Sequence, residues 1–208
     1  MSDKRLFIAT GNKDKVKEIK EKFAGINFTV LSPDDFEDMS LDVEETGSTL
    51  RENALLKARA GAEKSGLLTM ADDTGLKVDA LEGRPGVYSA RFAGPEASYE
   101  ENNRYLLEQL QGVPRDERTA HFVTVAALFD PQTGEEYTVK GMCKGIIEGE
   151  LKGENGFGYD PLFYLPILDK TMAQLDTEIK NTISHRARAL GKLKLVLDKN
   201  YSQKNYTE

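Results

Sequence analysis

A chain of 208 residues, 39% hydrophobic and 30% charged, has the composition of an ordinary folded protein and is long enough to bury one sizeable core or two small ones. Its 28 Lys and Arg against 35 Asp and Glu leave a formal charge of −7, which excludes the net positive field that holds nucleic acid by counterion release. Cys143 is the only cysteine, so no internal disulfide forms, and with just His121 and His185 beside it a zinc cage lacks ligands; a metal here would be a hard cation on carboxylates.

From the N-terminus, Leu6–Ala9 predicts a short buried strand. It is far shorter than the apolar region of a secretory signal, about 7 to 15 residues, and no later segment nears the roughly 18 apolar residues of a membrane span; no membrane association and a cytoplasmic location are the expectation. After Thr10-Gly11-Asn12, Val16, Ile19 and Phe23 recur at helical spacing, giving strand, tight loop and helix in succession. Phe28–Leu31 predicts a second strand, and the acidic stretch Asp34–Glu45 is too charged and irregular for anything but a surface loop. Thr49-Leu50-Arg51-Glu52 fits a capping box that opens a helix to about Lys64, with Gly66 as its stop.

Leu67–Ala71 then reads as a strand entering a turn at Asp72-Asp73-Thr74-Gly75, with Leu76, Val78 and Ala80 alternating on a further strand. A long loop over Gly83–Gly94 precedes a helix over Tyr99–Leu110. His121–Phe129 and Glu136–Ile147 alternate as strands around Asp130-Pro131-Gln132-Thr133-Gly134, the turn of an antiparallel hairpin. Gly153–Pro161 is a glycine-rich loop, and Ser184 opens a last helix with Leu190, Leu193 and Leu197 on one side. No repeat interrupts the pattern. Residues 1–200 are expected to form one domain and 201–208 a polar tail.

Several groups along this chain suit chemistry on an anion. Lys13 and Lys15 stand at one helix start, and His185 and Arg186 at another, where the helix dipole disfavours cations. A bound anion would remove that conflict, although exposed cations there also cost little. Asn53 and Lys57, four residues apart, can point the same way from their helix, or simply form a solvated polar face. Asp72 and Asp73 end an apolar strand, a place where ligands bind in α/β sheets, but Asp-Asp-x-Gly also makes structural turns. With Glu44 and Glu45 they could hold magnesium, which favours one or two carboxylates plus substrate phosphates. Phe157-Gly158-Tyr159-Asp160 sets rings beside glycine, fit to stack a base or simply to pack a core. Neither a P-loop nor a dinucleotide fingerprint is present.

Taken in order, Thr10-Gly11-Asn12 with Lys15, Glu44-Glu45-Thr46-Gly47, Glu52-Asn53-Ala54 with Lys57, Ala71-Asp72-Asp73-Thr74-Gly75, Gly86-Val87-Tyr88-Ser89-Ala90-Arg91, Gly156-Phe157-Gly158-Tyr159-Asp160-Pro161 and Ser184-His185-Arg186 resemble one family: the pyrophosphatases of non-standard purine nucleoside triphosphates (inosine triphosphate pyrophosphatase, XTP/dITP diphosphatase). The resemblance runs from about Leu6 to Leu197, and its specificity lies in the ordered set rather than in any one block. Thr74 departs from the serine more usual in that turn, with the hydroxyl retained.

The resemblance implies an elongated α/β fold with a mixed central sheet flanked by helices, two lobes with a cleft between them, and a homodimer. It implies hydrolysis of ITP, dITP and XTP to the monophosphate and pyrophosphate with Mg2+ as cofactor. Carried over by motif, Thr10, Gly11, Asn12, Lys13 and Lys15 would hold phosphates, with Asn53 and Lys57 nearby. Asp73 would be general base and metal ligand, joined by Asp72 and by Glu44 or Glu45, and Thr74 would touch substrate. Phe157, Gly158, Tyr159 and Asp160 would enclose base and sugar, while Lys180, His185 and Arg186 would face the 6-keto edge. A pyrophosphatase of other modified nucleotides, or a nucleotide-binding sensor, is the alternative.

Overall fold

The computed structural model describes residues 4–41 and 43–201. Seven strands form one mixed sheet in the order β2-β1-β3-β4-β5-β6-β7: β1 (Arg5–Ile8), β2 (Thr29–Leu31), β3 (Leu68–Val78), β4 (Thr119–Phe129), β5 (Glu136–Ile147), β6 (Phe163–Leu165) and β7 (Lys170–Thr171). The helices are α1 (Lys13–Lys22), α2 (Leu50–Ser65), α3 (Tyr99–Gln109), α4 (Thr177–Ile183) and α5 (His185–Tyr201). β1 pairs in parallel with β2 and β3, while β6 pairs antiparallel with β5 and β7.

The chain divides into two compact units. The first holds the residues up to Asp73, Thr124–Gly141 and the chain from Arg186; the second holds Thr74–Val123 and Met142–His185.

In the first unit, strand alternation decides what each helix meets. Leu68 and Met70 on β3 share a core with Leu6 and Ile8 of β1, Ile19 and Phe23 of α1, and Leu190, Leu193 and Leu197 of α5. The opposite face carries α2, whose Gly61 lies so close to the sheet that a Cβ there would meet the Ala9 side chain, Thr69 and Phe7. Helix α2 is cut as the capping chemistry predicts: the Thr49 side chain accepts from the Glu52 amide, Glu52 accepts from the Thr49 amide, and Gly66 ends the helix at φ +68°. At the far end, Tyr201, assigned to the tail by sequence, closes α5 with its side chain fully buried; residues 202–208 lie outside the described residues.

In the second unit, Leu106 and Leu110 pack with Leu76, Val78, Phe122, Tyr159 and Phe163. Helix α3 starts at a capping box on Ser98. Three expectations need correction. The turn at Asp72–Gly75 does not form: β3 runs unbroken through it, because both carboxylates find cations and need no turn geometry to stay solvated. The Gly83–Gly94 loop contains a 3₁₀ helix over Gly86–Arg91. Strands β6 and β7 and helix α4, which the sequence does not predict, are too short to leave a periodic signal.

Candidate active site

Consecutive residues on a strand point to opposite faces, so an unbroken β3 sends Asp72 and Asp73 to different partners. Asp72 continues the Leu68–Met70 face toward α1 and α5. Its Oδ2 lies 3.2 Å from Lys15 Nζ and 3.2 Å from Arg186 Nε. Arg186 Nη1 in turn donates to Glu18 Oε2 at 2.6 Å. Asp73 faces α2, where Lys57 Nζ donates to its Oδ1 at 2.7 Å and Asn53 Nδ2 approaches Oδ2 at 3.5 Å. The same Lys57 ammonium donates to Glu45 Oε1 at 2.7 Å. Asn53 is fixed from behind, accepting from the Gly47 amide at 2.8 Å.

These surroundings drive the two aspartates apart. Burial opposes ionisation of Asp72, but Lys15, Arg186 and Lys57 outweigh it and hold its pKa below the ordinary value. For Asp73 burial dominates, and Glu45 adds to it; Lys57 and Lys15 draw the pKa only part of the way back, so it stays raised. Burial works against the Lys57 ammonium, yet Asp73, Glu45 and Asp72 keep its pKa above the usual lysine value. Lys15 is lowered by burial, helped by Lys57 and Arg186 and opposed by Asp72 and Asp73. Asp72 is thus a fixed anion, and Asp73 a carboxylate whose proton affinity has been increased.

The cations at two helix starts also find their explanation. Lys15 near the start of α1 and Arg186 near the start of α5 share one carboxylate, Asp72, so the protein supplies an anion of its own at both. Ahead of α1, the Thr10 hydroxyl accepts from the Asn12 amide at 3.2 Å, and Asn12 Oδ1 caps the helix by accepting from the Lys15 amide at 3.1 Å. Gly11 and Lys13 are exposed, with nothing near the Gly11 Cα to obstruct an approaching group. Thr74, partly buried, follows directly on β3.

Among the described residues no three His, Cys, Asp or Glu side chains gather as a protein-only metal cage requires. Two carboxylates do converge: Asp73 and Glu45 lie 2.7 Å from the same ammonium nitrogen. That donor set fits magnesium, which takes one or two carboxylates and completes its shell with water and phosphate. Glu44 is exposed, and Asp72 is fully buried and committed to Lys15 and Arg186.

The second unit gathers the aromatic loop. Asp160 Oδ2 accepts from Lys180 Nζ at 2.6 Å and from the Phe157 amide at 3.0 Å, and the Lys180 ammonium lies 5.0 Å from the Phe157 ring centre. Gly156, at φ +76°, leaves the space that Asp160 and Lys180 fill, so no side chain is tolerated there. The Tyr99 ring flanks Phe157 with centroids 5.9 Å apart. Tyr159 sits in the core instead, its hydroxyl donating to the Ser89 carbonyl at 2.8 Å, and burial raises its pKa. His185 is buried and stacks on Phe122 at 4.4 Å.

The resemblance gives Arg186 the 6-keto edge of a base; in the structure its guanidinium is buried between Asp72 and Glu18. Glu18 and Asn103, which donates to the Gly158 carbonyl at 2.8 Å, were not singled out from sequence. Glu18 follows Lys15 at helical spacing of three and could have been read as its neighbour; Asn103 carries no comparable signal.

A sequence model described as the Ham1 family matches residues 6–196. The chain belongs to the Ham1 family. It is 51% identical over 197 residues to the dITP/XTP pyrophosphatase of Desulforamulus reducens, covering 95% of this chain and 97% of that one. With the dITP/XTP pyrophosphatase of Geobacter sulfurreducens the identity is 51% over 190 residues, covering 91% and 94%. Among solved structures, the Ham1 protein of Staphylococcus aureus matches at TM-score 0.81 and 44% identity, and a HAM1 protein from Coxiella burnetii at TM-score 0.84 and 39%, each over 94% of this chain and 99% of the other. The α/β class, with a mixed sheet flanked by helices, is therefore the Ham1 fold.

Proposed function

We propose that this Ham1 protein hydrolyses deaminated purine nucleoside triphosphates (ITP, dITP and XTP) between the α and β phosphorus atoms, releasing the nucleoside monophosphate and pyrophosphate and so clearing these bases from the nucleotide pool. The observation that carries the reading is Asp73: a buried carboxylate of raised pKa, held on one side by Lys57 and Asn53 beside a second carboxylate, Glu45. An in-line attack by water needs a base with increased proton affinity, which this carboxylate supplies. The names of the relatives point to two of these substrates, dITP and XTP.

Asp73 orients the attacking water and accepts its proton. Lys57, Lys15 and the Thr10–Lys13 turn, with Thr74, bind phosphate oxygens; Lys57 exchanges carboxylate partners for phosphate when substrate arrives. Asp73 and Glu45 would hold magnesium, which neutralises charge on the pyrophosphate leaving group when bound. Asp72 serves through Lys15 and Arg186 as a fixed counter-charge rather than as a ligand. Phe157 offers a face for the base, and Asp160 and Gly158 offer polar groups at its edge. The Lys180 ammonium has three donors and no acceptor, which suits a 6-keto oxygen and rejects an adenine 6-amino group. The protein acts as a homodimer in the cytoplasm.

The reading is tested by chromatography of products from ITP, dITP, XTP, GTP and ATP, with magnesium and with EDTA. Monophosphate and pyrophosphate from the deaminated purines, abolished by EDTA, are expected; orthophosphate, or binding without turnover, contradicts it.

A further inference from the structure

The loop that carries Phe157 and Asp160 is held from two directions. On one side, Asp160 Oδ2 accepts from the Phe157 amide within the loop and from the Lys180 ammonium on α4. From outside the loop, Asn103 Nδ2 on α3 donates to the Gly158 carbonyl at 2.8 Å. Gly158 itself stands at φ +62°, a left-handed conformation whose carbonyl direction depends on such a tie. Asn103 lies one helical turn beyond Tyr99, whose ring flanks Phe157, so the same face of α3 meets the loop twice.

Only half of the Asn103 carboxamide is used. The residue is 4% exposed, and among the described residues no donor reaches its Oδ1, which is itself buried. A buried acceptor without a donor opposes folding, so an apolar side chain of similar size would suit the core at least as well. What the asparagine does supply is its amide, which ties α3 to the Gly158 peptide. We propose that Asn103 is a positioning residue for base recognition: it sets the Gly158 peptide, and through it the Phe157–Asp160 loop, in the geometry that receives the purine. This rests on the proposed assignment of that loop to the base.

The test compares wild type with Asn103→Leu, which removes donor and acceptor together, and Asn103→Asp, which keeps the shape and removes the donor. For each protein, kcat and KM for dITP, the inhibition constants of dIMP and of pyrophosphate, and the melting temperature are measured. The expected result is a KM for dITP and an inhibition constant for dIMP raised together by about three- to ten-fold, the loss of one hydrogen bond. Meanwhile kcat and the inhibition constant of pyrophosphate, which has no base, stay within about two-fold of wild type on the same scale, and the Leu variant keeps a cooperative melting transition. Unchanged KM and dIMP inhibition in both variants, an equal rise for pyrophosphate, or a collapse in melting temperature in both would overturn the inference. Wild type that fails to hydrolyse dITP would instead overturn the proposed function, and this inference with it.

Discussion

Adjacent carboxylates on β3 are given opposite work by what faces them. Asp72, with its lowered pKa, contributes stability that is present above its unfolded pKa and is lost only as pH falls through the lower folded value. Asp73, with its raised pKa, is the reverse: the fold favours its neutral form, and that preference is lost as pH rises through the folded value. At neutral pH, therefore, Asp73→Asn should melt no lower than wild type while losing about 10²- to 10⁴-fold in kcat. Asp72→Asn, which leaves Arg186 and Lys15 short of their shared anion, should cost about 3–5 kcal/mol in denaturant unfolding. Equal stability losses for the two variants would refute this division. Protonating Asp73 removes the base, so kcat/KM should fall on the acid side, and that limb should vanish in Asp73→Asn. A profile whose limb survives that substitution would exclude Asp73 as the group responsible.

Elements place these residues by parity and close approach. An unbroken β3 separates Asp72 from Asp73, and α2 can bring Lys57 to Asp73 because Gly61 lets it lie against Phe7, Ala9 and Thr69. Gly61→Ala should therefore destabilise by about 1–3 kcal/mol despite alanine's better helix propensity, through overpacking; urea titration measures it, and a stabilised variant would contradict the packing argument. Much here was legible in the sequence. Thr49, Glu52 and Gly66 mark α2 because capping is local chemistry, and Leu190, Leu193 and Leu197 mark the buried side of α5 because periodicity is. The Asp72–Gly75 segment was misread because its turn composition is local while the cations that keep it extended, Lys15, Arg186 and Lys57, come from three helices. Tyr159 and Arg186 were placed at the base by motif, but their hydrogen bonds go to the Ser89 carbonyl and to Asp72 and Glu18, partners that no spacing announces. Glu45 is distinguished from Glu44 only by reaching Lys57.

At the scale of the whole molecule, the family match over residues 6–196 takes in nearly all the described chain, and the net charge of −7 leaves substrate capture to local cations. Those cations, Lys15 and Lys57, are balanced by Asp72, Asp73 and Glu45, so polyanion binding should depend on a specific phosphate geometry rather than on charge alone. The central claim is that this charge arrangement cleaves the α–β phosphoanhydride of a deaminated purine nucleotide. Its most direct test is a single-turnover reaction of dITP in water enriched with heavy oxygen, with magnesium, followed by mass analysis of both products. One heavy oxygen in dIMP, none in pyrophosphate and no orthophosphate is the predicted result; label in pyrophosphate, or release of orthophosphate with dIDP, would contradict it.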